Sequence, residues 1–230
     1  MKYKAICFDI DGTLYPARIM NRYLLRFFIL HPFMNRTYSR LRAEYRKRQD
    51  SFALSELKDK SFSFREASVL TNSDAKYKTL NDVEAFRKKY YSLLLRRFKS
   101  IGYQKDTVST FAFLKENNTK FAFLSDWPLG TKLKQIGLGE YADMAFSSDD
   151  TGYLKPSAHG FEFLLDKIGV EKKDVLYVGD SYSKDVLGAI GAGFDAVLVN
   201  VKGKKDDFPK ALAVFETWAD FDRWLRKMYE

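Results

Sequence analysis

The hydrophobic pattern of this chain changes period twice. Ala5, Ile6, Cys7 and Phe8 form an apolar run that stops abruptly at Asp9-Ile10-Asp11-Gly12. A short run without alternation reads as a strand buried on both faces, and Gly12 permits the turn that ends it. After Pro16 the period becomes helical, with Ile19, Tyr23, Arg26, Phe27 and Leu30 marking one stripe. His31-Pro32 breaks that helix, because a residue before proline is disfavoured in the α region. A second, strongly basic helix is predicted over 38–48 and a long amphipathic one over 82–98, with polar connectors near 50–63 and 71–81 joining further short helices. No strand signal of comparable strength falls between 17 and 100.

Beyond residue 106 short apolar runs and amphipathic stretches alternate. The pattern predicts helices over 107–116, 131–136, 157–168, 184–192 and 218–229, and strands over 120–124, 144–146, 174–178 and 196–200. Alternation at this spacing calls for a parallel sheet built from right-handed crossovers. The expected fold is α/β: a core of residues 1–16 and 101–230, with an all-helical insert over 17–100. No internal repeat or low-complexity segment is present, so a solenoid is not indicated.

Charge sharpens this division. The 230-residue chain carries a formal charge of +9. Residues 17–100 hold 20 Lys and Arg against 8 Asp and Glu, whereas the remainder holds 19 against 22. All of the basic excess therefore lies in the insert, which reads as a compositionally separate unit. The single cysteine, Cys7, excludes an internal disulfide and sits within the first apolar run, where a small core residue is expected. No apolar run reaches 18 residues and no signal-peptide pattern precedes the first strand, so the expected location is the cytoplasm.

The chemistry gathers at the predicted strand ends, where open α/β folds bind ligands. Strand one ends in Asp9-x-Asp11-Gly12-Thr13, F-A-F-L ends in Ser125-Asp126, and V-L-Y-V-G ends in Asp180, with Asp185 five residues on. Lys155-Pro156 precedes another predicted helix. Singly, Ser125-Asp126 suits a turn or helix N-cap, Lys155 a solvated helix start, and Asp185 a charge favourable to a helix dipole. Jointly they place three or four carboxylates, a hydroxyl and an ammonium at one sheet edge. At period two Asp9 and Asp11 share a face, and such crowding requires a cation, a shared proton or hydrogen bonds. Oxygen ligands of this kind suit a hard divalent ion such as Mg²⁺.

D-I-D-G-T-L, F-L-S-D, K-P-S-A-H-G-F and Y-V-G-D-S-Y-S-K-D, in that order, resemble the motifs of the haloacid dehalogenase (HAD)-like hydrolase superfamily. The resemblance covers roughly residues 1–16 and 101–200. It implies a Rossmann-like core, with the insert at the place of that family's helical C1 cap. It further implies that Asp9 is a nucleophile forming an aspartyl-phosphate and that Asp11 is the general acid and base. Mg²⁺ would be held by Asp9, the Asp11 carbonyl and Asp180, with Asp185 in support, and phosphate by Ser125, Lys155, Thr13 and the backbone near Asp126. Many members carry Asn where this chain has Asp126, so that side chain is expected to turn away from phosphate or to bond the first loop. An acid at position 11 favours phosphoryl transfer over dehalogenation, since a halide leaves without a proton.

The expected activity is Mg²⁺-dependent hydrolysis of a small phosphomonoester of the nucleotide or sugar phosphate type. A phosphomutase of the same superfamily is the alternative enzyme. A non-catalytic protein whose basic cap binds nucleic acid or anionic membrane is the alternative from another class. The cap aromatics suit either base stacking or the cap's own core. Neither the substrate nor the oligomeric state follows from the sequence.

Overall fold

Strand β1 (Ala5–Phe8) is the axis of the molecule, paired on both sides. The computed structural model describes residues 3–52, 55, 60–73, 76–98 and 101–230. After β1 come two short bridges, β2 (Asp11–Gly12) and β3 (Tyr15–Pro16), and then helices α1 (Ala17–Leu30), α2 (Pro32–Phe52), α3 (Phe62–Ser73) and α4 (Leu80–Phe98). Next are α5 (Lys105–Glu116), β4 (Lys120–Ser125), α6 (Lys132–Gln135), β5 (Ala145–Ser147), α7 (Ser148–Thr151), α8 (Ala158–Ile168) and β6 (Val175–Gly179). The chain closes with α9 (Leu187–Gly191), β7 (Asp195–Val199), β8 (Val214–Phe215) and α10 (Trp218–Lys227).

The six-stranded sheet runs β5-β4-β1-β6-β7-β8 and is parallel throughout. Side chains alternate across it. Ile6 and Phe8 pack with Phe111 of α5 and Trp218 and Phe221 of α10, while Ala5 and Cys7 pack with Phe161 and Leu164 of α8. The Phe8 and Phe111 rings meet edge to face at 4.8 Å, a favoured geometry for aromatic pairs. The chain leaves β1 for β4 and β5 on one side and returns to β6 on the other. The crevice of this α/β sheet therefore opens at the carboxyl ends of β1, β4 and β6.

Between residues 17 and 98 the described residues form helices and no strand, as the pattern predicts. Parts of the two polar connectors, residues 53–54, 56–59 and 74–75, lie outside the described residues. Several cap aromatics point inward: Tyr38 stacks on Tyr90 at 4.0 Å and Tyr45 meets Phe62 at 5.0 Å. The stripe expected on α1 is out of phase. Leu24 and Phe27 are buried, whereas Arg26 is exposed and Leu30 keeps 55% of its surface; the Tyr23 side chain lies outside the described residues. Nearly every position from 23 to 30 is apolar, so periodicity cannot choose a face, and the contact of Phe27 with Tyr90 at 5.4 Å sets the rotation.

Helix α2 docks on the core through Arg42, Tyr45, Arg46, Gln49 and Asp50, a spacing that lines one helical face. Arg42 donates to the Asp126 carbonyl, and Tyr45 donates to the Gly152 carbonyl at 2.8 Å. Arg46 Nε donates to the Lys155 carbonyl at 2.9 Å. Gln49 grips Leu154 twice, donating to its carbonyl at 2.9 Å and accepting from its N–H at 2.7 Å. Asp50 accepts from Ser157 Oγ at 2.6 Å. Two arginines of the basic excess, Arg42 and Arg46, are thus structural.

Behind this seam Glu66 is fully buried, 2.8 Å from Arg87 Nε and 3.7 Å from Arg42, and Arg87 continues to Asp149 of α7. Removing one member of a buried ion network strands its partners. Glu66→Ala should cost about 3 kcal/mol in urea unfolding; a loss below about 1 kcal/mol would mean the network behaves like an exposed pair.

Candidate active site

Asp9 extends β1 by one residue, its N–H donating to the Val178 carbonyl at 2.9 Å. Asp9 is 5% exposed, and its carboxylate accepts from Thr13 Oγ1 at 2.8 Å and from Lys155 Nζ at 2.5 Å. Lys155 also donates to Asp185 at 2.6 Å and to the Tyr177 hydroxyl at 3.3 Å. Burial pushes the Asp9 carboxyl well above the usual range, with the Lys155 charge opposing and Asp185, Asp180 and Asp11 adding to the rise. Burial acts to lower the Lys155 ammonium, but Asp185 and Asp9 overcome it and hold the group well above its ordinary value.

Asp9, Asp180 and Asp185 each present an oxygen within 4.8 Å of the others. Two glycines make this approach possible. At Gly12, where φ is +102°, a Cβ would stand 2.1 Å from Asp180 Oδ2, and at Gly179 one would stand 2.3 Å from the Asp185 Cβ. Asp185 is fixed by the Ser181 N–H at 2.9 Å in a π-helical turn, Tyr182–Val186, at the start of the helix predicted over 184–192. Three carboxylate oxygens gathered within 4.8 Å of one another, with the Asp9 and Asp180 carboxyls pushed upward by burial, form a donor set that fits a hard divalent cation.

The Asp11 carboxylate is not one of the three oxygens gathered within 4.8 Å, although it adds to the rise at Asp9 and lines the same cavity. Asp11 has its own partners: Lys132 Nζ at 2.8 and 2.6 Å, Ser125 Oγ at 2.8 Å and Tyr15 Oη at 2.5 Å. Lys132 is buried, its ammonium 4.7 Å from the centre of the Phe98 ring. Burial lowers its pKa, with Asp11 resisting. Neither Lys132 nor Tyr15 was anticipated, because T-K-L-K-Q reads as a short solvated helix and Tyr15 as a core aromatic. Asn200 was also missed; its amide donates to the Gly12 and Thr13 carbonyls at 2.9 and 2.8 Å and braces the loop.

The other expected phosphate ligands are placed unevenly. Thr13 is fully buried with its hydroxyl on Asp9, a position suited to orienting the loop and not to touching phosphate. Ser125 donates to Asp11 and accepts from the Trp127 N–H at 3.0 Å. Asp126 does not bond the first loop. Its carboxylate meets Arg46 at 2.7 Å and the Lys155 N–H at 2.9 Å, because α2 presents a guanidinium there. Burial would raise that carboxyl, but Lys155, Arg42 and Arg46 bring it below the ordinary value. A cavity of about 340 Å³ opens on Asp9, Asp11, Asp126, Lys155, Asp180 and Asp185, with Met20 and Arg46 entering from the cap.

Residues 3–193 match the family model described as haloacid dehalogenase-like hydrolase. The chain belongs to this family. Among its relatives is the glyceraldehyde 3-phosphate phosphatase of Methanothermobacter thermautotrophicus, 27% identical over 210 residues that cover 86% of this chain and 85% of the relative. Another is the ribulose-1,5-bisphosphate 5-phosphatase of Halopiger xanaduensis, 24% identical over 215 residues and covering 88% and 87%. The fold matches that of the HAD-hydrolase YfnB of Bacillus subtilis, solved bound to magnesium, with a TM-score of 0.62, 18% identity and coverage of 98% and 100%. No helix among the described residues is long and apolar enough to cross a membrane.

Burial, followed by the Asp185 charge, raises Asp180 to about 6, with Lys155 opposing. A carboxyl raised in the folded state contributes stability that is present below its unfolded value of about 3.9 and lost as pH climbs through about 6. In chelator, Asp180→Asn should therefore melt above the parent at pH 7.5, by on the order of 2 kcal/mol, and the difference should close at pH 4. A gap independent of pH would refute this.

Proposed function

We propose that this chain is a Mg²⁺-dependent phosphomonoester hydrolase that works through an aspartyl-phosphate on Asp9. The observation that carries the reading is the buried Asp9 carboxylate, joined to Lys155 at 2.5 Å and gathered with Asp180 and Asp185. Five carboxylates adjoin the cavity, against the cations of Arg46, Lys155 and Lys184 within it and Lys132 behind Asp11. That balance is slightly negative; with a divalent ion it becomes positive, as a phosphate dianion requires. When bound, the ion lowers the repulsion between an anionic nucleophile and an anionic phosphoryl group. Asp9, Asp180, Asp185 and the Asp11 carbonyl are the groups proposed to hold it.

Asp9 attacks phosphorus, the P–O bond to the leaving alcohol breaks, and Asp11 delivers a proton to the departing oxygen. Asp11 then takes a proton from the water that attacks the acyl phosphate, freeing inorganic phosphate and restoring the Asp9 carboxylate. Lys155 holds Asp9 in line and balances charge on the phosphoryl oxygens. Lys132, Tyr15 and Ser125 fix the orientation of Asp11, and Thr13 that of Asp9. The cavity of about 340 Å³ fits a small substrate, and the names of both relatives describe removal of phosphate from small phosphorylated sugars. We place the substrate among sugar phosphates and similar metabolites.

A screen of sugar phosphates, nucleotides and other phosphomonoesters, with Mg²⁺ and with chelator, tests the reading. Turnover should require the ion, and Asp9→Asn should lower kcat by roughly 10³-fold or more. Lys132→Met should lower kcat roughly 10–100-fold with a smaller change in KM, since it displaces Asp11 without touching the phosphoryl group. Full activity of Asp9→Asn, or undiminished turnover in chelator, would overturn the proposal.

A further inference from the structure

The corner between α1 and α2 carries apolar surface that the fold does not use. Leu25, Phe28, Ile29 and Leu30 keep 58%, 38%, 67% and 55% of their surface, and Phe33, just beyond the corner, keeps 83%. Leu25 and Ile29 lie opposite the buried Leu24 and Phe27, with Phe28 and Leu30 on the flanks, so α1 carries apolar surface beyond the face that packs. Scattered exposed apolar residues are ordinary, but five within nine positions form a patch of the kind that marks an interaction site.

The charge around the patch specifies its partner. Residues 17–43 contain six arginines and no acidic residue. Arg22, Leu25, Arg26 and Ile29 share one face of α1, and Arg36 follows Phe33 by one turn. Arg22, Arg26 and Arg36 are exposed and take no part in an ion pair among the described residues. Beside the corner a cavity of about 240 Å³ between α1 and α4 is lined by Phe27, His31, Leu93, Arg96 and Arg97. Its lining joins apolar side chains to two arginines, the residue type that receives a phosphate headgroup.

We infer that this corner rests on an anionic lipid surface, with Phe28, Ile29 and Phe33 entering the acyl boundary and the arginines meeting headgroup phosphates. Binding at such an interface grows with the apolar area buried in it and with electrostatic attraction to anionic lipid; the exposed apolar side chains supply the first and the neighbouring arginines the second. A second copy of the chain is the less suitable partner, because an isologous contact would set one arginine rim against another. Met20, which lines the catalytic cavity, is nine residues from Ile29 along α1, about 14 Å at the helical rise. Docking at the corner therefore leaves the cavity open.

Flotation of the full chain with vesicles tests this independently of catalysis, using phosphatidylcholine alone and phosphatidylcholine with roughly one third phosphatidylserine. Binding should occur to the anionic vesicles only and weaken at high salt. It should fall at least about tenfold in the double variant Ile29→Glu, Phe33→Glu and roughly tenfold in Arg26→Gln, Arg36→Gln, with thermal melting unchanged in both. Absence of binding to anionic vesicles, or equal binding by the parent and the glutamate variant, would overturn the inference. So would a dimer in sedimentation that the glutamate variant splits, or RNA binding at this corner, without vesicle binding.

Discussion

The Lys155 ammonium, buried between Asp9 and Asp185, is the interaction on which this molecule depends. Placing three charges in the interior is costly unless each is paired and hydrogen-bonded. Here the backbone supplies the remaining bonds: the Ser181 N–H supports Asp185, and the Leu124 carbonyl lies 3.4 Å from Lys155 Nζ. The ammonium draws together the ends of β1 and β6 and the loop before α8. The carboxylates are thereby held close enough to share a cation, and the repulsion that would otherwise push them apart is kept in check.

That loop is also where the cap makes its strongest contact with the core. Gln49 binds both backbone groups of Leu154, Arg46 binds the Lys155 carbonyl, and Asp126 on β4's end accepts from both Arg46 and the Lys155 N–H. Both main-chain groups of Leu154 and the Lys155 carbonyl are thus satisfied from the cap. Any movement of α2 must exchange these bonds for water, and must do so next to the ammonium that orients Asp9. The cap and the buried lysine are therefore coupled through hydrogen bonds no longer than 2.9 Å, a linkage in which small shifts would have large consequences for groups placed to react.

Much of the core was legible because its signals are local. An unbroken apolar run ending in aspartates marks a central parallel strand, and the alternation of helix and strand after residue 106 marks the crossovers. The residue order at the strand ends was readable for the same reason. What was not legible depends on tertiary context. The rotation of α1 could not be read from a segment apolar at almost every position. Lys132 looks like any helix lysine until Phe98 and Trp127 enclose it, with its ammonium 4.7 and 5.6 Å from their ring centres. Tyr15 reads as core because it is core; only its hydroxyl reaches the site. The short pairing of β2 with β3 spans too few residues to show a period.

Asp126 shows how one departure from the family pattern is absorbed. A carboxylate beside a phosphate site would repel the substrate if left free, and in the closed interior that repulsion would be strong. It is not free, because Arg46 meets it at 2.7 Å and the Arg42 and Lys155 charges help keep it ionised against the effect of burial. The Asp126–Arg46 pair is close to neutral at distance, while the acid gains what an amide would lack, a charge with which to anchor the cap. The side chain that looked least compatible with phosphate chemistry thus acts as the core's half of a clasp. Its counterpart comes from the basic helix whose charge had suggested a nucleic-acid surface.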